Sequence, residues 1–257
     1  MPETAQTASI LAAAAAASQS YTQTSPNGVR YATFGMLNDG ALSVEDELPR
    51  LIGAVPAVMS AALANTVFYF VPLALIPAEG EPAIHPDAEV TIAAAYSTGL
   101  ADRAICHRNV RLPGHDAVFL SARLQNDRFA LAFEFFINAA HAFVDVAGVP
   151  EEYVQLIAQQ VEANVRGEAS HDAWDYRQKL ASAPHDDKAR NALYETAFVD
   201  ALAIYMLSLY LDFDYADLRE REYPLLIPAA LAERLRCVHK LLPSNTGYTF
   251  EIRYRRR

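Results

Sequence analysis

Residues 127–167 read DRFALAFEFFINAAHAFVDVAGVPEEYVQLIAQQVEANVRG, and this stretch sets the fold expectation. Phe129, Phe133, Phe136 and Ala140 recur at the 3.6-residue period, which predicts an apolar helix. Gly148 is suited to cap its end and Pro150 to open the next helix, which runs toward Gly167. An alternative pairs VFLSARL (118–124) with RFALAF (128–133) as a β-hairpin around Gln125-Asn126-Asp127. The unbroken helical pattern beyond Phe133 favours the helix.

Toward the C-terminus, residues 170–181 predict a polar helix closed by SAPHDD (182–187), and Asn191–Leu211 an apolar one. LIPAALAERLRCVHKLL (226–242) predicts an amphipathic helix after Pro228, and GYTFEIRYRRR (247–257) a terminal strand or extended arm. Toward the N-terminus, RLPGHD (111–116) is a break and residues 88–104 a helix with Val90, Ala94 and Ser97 on one face, weakened at Gly99. IPAEGEPAIHPD (76–87) is a loop, and GALSVEDELPRLI (40–52) a helix with Ser43 as N-cap and Pro49 as its limit. No charge interrupts residues 51–78, a length sufficient to cross a bilayer. Pro56, Pro72 and Pro77 break the run, however, and Arg50 alone flanks it, so it predicts a buried helix, a turn and a buried extended TVFYFV (66–71) rather than a membrane span. Residues 1–28 end in SPNG and predict a flexible Ala/Ser/Thr-rich tail; ILAAAAAAS (10–18) lacks the positive flank of a secretory leader. The expectation is therefore mainly α: a multi-helix bundle with a few short extended segments, one helical domain over 29–257.

The 257 residues carry 21 Lys+Arg against 31 Asp+Glu, a net charge of −10, which argues against nucleic acid as a partner despite the closing RYRRR. Cys106 and Cys237 are too few for a disulfide framework or a four-cysteine zinc site and suit a reducing cytoplasm. No GxGxxG, P-loop, HExxH or GxSxG motif is present.

Chemistry is carried instead by a polar line on the apolar helix. Glu134, Asn138, His141 and Asp145 stand at i, i+4, i+7 and i+11, within an arc of about 60°. Such groups on a buried helix require partners, whether a substrate, a metal or other side chains. His171 and Asp175 repeat the i, i+4 spacing, and Glu168-x-x-His171 matches half of a di-iron bundle motif. Asp200, in FVDALAIYMLSLY, is a further acid on an apolar helix.

INAAHAFVDVAGVPEE (137–152) resembles the end of the core helix in the carboxymuconolactone decarboxylase and alkylhydroperoxidase D-like (AhpD-like) family, with Asn138, Asp145, Gly148 and Val149 at the matching places. The resemblance implies an all-α fold and a homo-oligomeric small-molecule enzyme. Peroxidatic members carry Cys-x-x-Cys followed by His, of which this chain has only Cys106-His107, so it implies decarboxylase- or isomerase-type chemistry.

These readings lead to an acid/base enzyme without a cofactor, acting on a small, largely apolar organic molecule in an internal cavity. Glu134 and His141 would transfer protons, Asn138 would orient the substrate and Asp145 would orient His141. One alternative is a non-haem oxygenase binding iron or manganese through Glu134, His141, His171 and Asp175. Another is a non-catalytic binding protein in which the polar line fixes helix register.

Overall fold

The computed structural model describes residues 11–37, 47–76, 90–124, 127–213, 215 and 223–252. The chain divides into two compact units. One holds residues 1–53 and 63–135, the other 54–62 and 136–257.

The first unit corrects the mainly α, AhpD-like expectation: among the described residues it contains nine strands in two sheets. The five-stranded sheet runs β2 (Gln23–Thr24), β3 (Arg30–Thr33), β4 (Thr66–Val71), β9 (His115–Ser121), β8 (His107–Leu112). β4 lies parallel to both β3 and β9, and β2 and β8 close the edges antiparallel. All six residues of β4 are buried, as a central parallel strand covered on both faces requires. Its odd positions Val67, Tyr69 and Val71 pack with Ala32, Val110 and Phe119, the Tyr69 and Phe119 rings stacked at 4.9 Å. Its even positions Phe68 and Phe70 meet Phe135, at 5.1 and 5.7 Å between ring centroids.

The four-stranded sheet orders β1 (Leu11–Ala13), β6 (Thr91–Ala93), β5 (Leu73–Leu75), β7 (Ala104–Ile105). The buried Ser121 hydroxyl joins the two sheets, accepting from Ala74 N and donating to Ile105 O, each at 2.6 Å. Residues 11–28, read from sequence as tail, hold β1, a short helix α1 (Ala14–Ala17) with Ala14 and Ala17 buried, and β2.

Further corrections have local reasons. Where a helix was expected over 88–104, the described residues form β6, a single turn α3 (Thr98–Ala101) and β7, because Thr91, Ile92 and Ala93 pair with β1 and β5 in sheet rather than line a helix face. RLPGHD is a hairpin turn between β8 and β9, with Gly114 at φ +92. VFLS belongs to β9 and pairs with β8, so the alternative 118–133 hairpin is absent; Gln125 and Asn126 lie outside the described residues. The uncharged run is read correctly in outline: α2 (Glu47–Gly53), a 3-10 turn (Ala57–Met59), then β4. Pro49 stands within α2 rather than limiting it; Ser43, residues 77–87 and the terminal RYRRR lie outside the described residues.

The decisive stretch is helical as expected, α4 (Arg128–Ala147) and α5 (Glu151–Glu162), with Gly148 at φ +70 and Pro150 at the N-cap of α5. The second unit continues with α6 (His171–Ser182), α7 (Asp187–Tyr210) and α8 (Pro228–Leu241). α4 and α7 are long and apolar enough to cross a membrane, and 50% and 72% of their apolar windows are buried within the protein.

Phe135 fills the space against Phe68 and Phe70 without exposure. Phe135→Ala is expected to cost about 3–5 kcal/mol of stability, read by urea denaturation.

Candidate functional site

The polar line of α4 does not gather around one enclosed space. Glu134 is partly buried and bonds His107 Nδ1 on β8, not His141. Asn138 is buried, whereas His141 and Asp145 are exposed. No ion pair links His141 to Asp145 among the described residues, so the orienting role expected for Asp145 has no contact behind it. His107 escapes a reading by helix period because its partner in the pair is twenty-seven residues away, on another element.

The metal alternative fares similarly in geometry. His171 and Asp175 approach to 3.7 Å on the outer side of α6, with side chains 42% and 50% exposed. Glu168, three residues earlier, turns inward and is fully buried. Among the described residues no three His, Cys, Asp or Glu side chains stand together as a metal-holding group.

The second unit instead buries an ionic network around Glu168. Gly167, at φ +86, brings the backbone so close to the 224–225 segment that a Cβ would lie 2.2 Å from Leu225 O. This lets Glu168 N donate to Pro224 O and Glu168 O accept from Leu226 N. The Glu168 carboxylate then accepts from Arg177 Nη1 on α6 at 2.9 Å and from Arg234 Nη1 on α8 at 2.7 Å. Arg177 Nη1 also reaches Gly167 O, and Arg234 Nε donates to Gln160 Oε1 of α5 at 2.8 Å. Two helices, α6 and α8, thus converge on one carboxylate, with both of its oxygens satisfied.

Asp200 of α7 is the second acid here. Ser170, the N-cap of α6, accepts from Ala173 N and donates its hydroxyl to Asp200 Oδ2 at 2.6 Å. Burial pushes the Asp200 carboxyl up to about 7, although the Ser170 hydrogen bond and the Arg234 guanidinium oppose the rise; Glu168 and Asp172 add to it. Two donors nearby are unsatisfied. Arg234 Nη2 and the Tyr215 hydroxyl are buried without a hydrogen-bond partner among the described residues. Burial raises the Tyr215 phenol, and the charges acting on it include Arg234, Asp200 and Glu168, which places the four groups in one electrostatic neighbourhood.

The sequence pattern marks Asp200 as an acid on an apolar helix but leaves its surroundings unread. The signal for them is present in the helix periods. Arg177 follows buried Ala173 by four residues and precedes buried Leu180 by three, and Arg234 sits among buried Leu231, Leu235 and Val238. An arginine on the apolar face of each helix implies a buried acid between them.

Removing one partner from this network leaves a buried charge uncompensated. Glu168→Gln is expected to lower stability by about 3–5 kcal/mol, against a change within about 0.5 kcal/mol for the solvent-facing His171→Ala, both read by chemical denaturation. The raised Asp200 pKa fixes a second outcome. Between about pH 4 and pH 7 the native carboxyl keeps its proton while the unfolded one, near 3.8, loses it. The native state binds more protons, so stability falls as pH rises through that window and levels above it. Asp200→Asn is expected to abolish this slope; an unchanged slope would place the titration elsewhere.

No family model matches the chain, and no curated protein or solved structure is significantly similar to it. The likeness of residues 137–152 to the carboxymuconolactone decarboxylase family therefore rests on those residues alone, and the all-α bundle it implied is not the fold.

Proposed function

We propose that the helical unit carries an acid/base site for a small, largely apolar carbonyl compound, with Asp200 as the proton carrier. Behind this reading stands the conjunction of a buried carboxyl that desolvation pushes up to about 7 with two buried donors, Arg234 Nη2 and Tyr215 Oη, that lack partners among the described residues. A general acid/base works best when its pKa lies near the ambient pH, and desolvation brings Asp200 there. Unsatisfied buried donors are costly in a folded protein and are suited to an oxygen that gains negative charge during reaction.

The step these groups support is proton abstraction next to a carbonyl. Ionised Asp200 takes the proton from the α-carbon, the C–H electron pair moves into the carbon–carbon bond, and the enolate oxygen is held by Arg234 and Tyr215. Return of the proton to the same or another atom completes an exchange or an isomerisation, with no oxidant required. Ser170 acts as a positioning residue, since its hydroxyl fixes Oδ2 of Asp200. Glu168 keeps both arginines in place through its two carboxylate oxygens.

Proton exchange offers a test that does not depend on the identity of the natural substrate. The protein is incubated in heavy water with small ketones, 2-oxo acids and lactones, and deuterium uptake next to the carbonyl is followed by NMR. Catalysed uptake in at least one class is expected, falling about a hundredfold or more in Asp200→Asn with the fold retained by circular dichroism. Uptake at the uncatalysed rate throughout, or uptake untouched by Asp200→Asn, would overturn the proposal and leave the network a purely structural one.

A further inference from the structure

A hollow of about 360 Å³ opens where α5, α6 and the start of α7 meet, within the size range of small-molecule sites. Its wall is mainly apolar, with Val161, Leu180 and Tyr194 among the lining residues, and Arg177, Arg190 and Glu162 supply the charges. Arg177 is only 7% exposed, so the part of it that lines the hollow is a small, fixed patch of a side chain otherwise enclosed. Its Nη1 is committed to Gly167 and Glu168, whereas no partner engages Nε or Nη2 among the described residues. Nε and Nη2 form the lateral edge of the guanidinium, two parallel N–H groups spaced to match the two oxygens of a carboxylate. The bond to Glu168 holds that edge still, so little side-chain entropy remains to be lost on binding. Arg190, fixed by Asp187 and Pro184 O, adds a second cation at the same hollow.

We propose that this hollow binds a small organic acid, its carboxylate on the lateral edge of Arg177 and its hydrocarbon portion along Val161, Leu180 and Tyr194. The exposed Glu162 on the rim disfavours a second negative charge, which restricts the ligand to a monocarboxylate. The proposal stands on Arg177 and the hollow, independently of any chemistry at Asp200.

Octanoate, octanol and octylamine serve as matched probes, titrated into the full-length protein while the arginine Nε–H resonances are followed by NMR. Octanoate is expected to bind saturably at millimolar concentration or below and to shift the Arg177 Nε–H signal, with the other two probes about tenfold weaker. Ala181→Trp, a replacement at an exposed lining position, is expected to fill the hollow and abolish binding, and Arg190→Gln to weaken it severalfold; both spare the buried network. Arg177→Lys keeps the charge but lacks the lateral edge, and should lose most of the preference for octanoate over octanol. The proposal fails if octylamine or octanol binds as tightly as octanoate, if octanoate still binds to Ala181→Trp, or if no probe binds.

Discussion

The second unit depends on one buried carboxylate shared between two guanidinium groups. Glu168 has no contact with solvent, and neither does Arg234, so each would be prohibitively costly alone. Together with Arg177 and Gln160 they form one hydrogen-bonded set, which fixes the loop after α5, α6, the 223–227 segment and α8 in mutual register. The backbone must cooperate for this to happen. Only a residue without a Cβ can stand at 167, since the left-handed conformation and the approach to Leu225 both exclude a side chain. A buried ion pair of this kind adds little net stability compared with apolar residues of equal volume. Its effect lies in how much is lost when any one member is removed.

That arrangement also accounts for the state of Asp200. Two acids and two arginines share the interior, but both guanidinium groups direct hydrogen bonds to Glu168, and Asp200 receives only a serine hydroxyl. One carboxyl therefore takes the guanidinium donors while the other, Asp200, is left to desolvation, which favours its proton.

The helical half of the molecule was legible in the sequence because helix periodicity extends over many residues. The Phe129, Phe133, Phe136, Ala140 series, Gly148 and Pro150 locate α4 and α5, and Pro228 marks the start of α8. The sheets were not legible, for two physical reasons. Strands such as Leu73–Leu75, Thr91–Ala93 and Ala104–Ile105 are too short to show an alternation, and β8 is the polar HRNVRL on a sheet edge. Only TVFYFV, uniformly apolar and β-branched or aromatic, announced itself as extended. The polar line of α4 shows the complementary weakness of periodicity. Spacing correctly assigns Glu134, Asn138, His141 and Asp145 to one face, yet cannot say what covers that face along its length. Asn138 is buried and His141 and Asp145 are exposed.

Arg177 connects the interior network with the hollow, and this has an electrostatic consequence. A negative charge placed at its lateral edge acts on Asp200 in the same sense as Glu168 and Asp172, toward protonation, against the Ser170 hydrogen bond and the Arg234 guanidinium. An anion bound in the hollow as proposed would thus raise the proton affinity of Asp200, and by linkage protonated Asp200 would raise the affinity for the anion by the same factor. The coupling passes through side chains already locked by hydrogen bonds, so it requires no movement of a helix or loop. An apolar alcohol of the same size would fill the same space and leave the titration of Asp200 where it was, since a ligand without charge makes no differential interaction with the two protonation states.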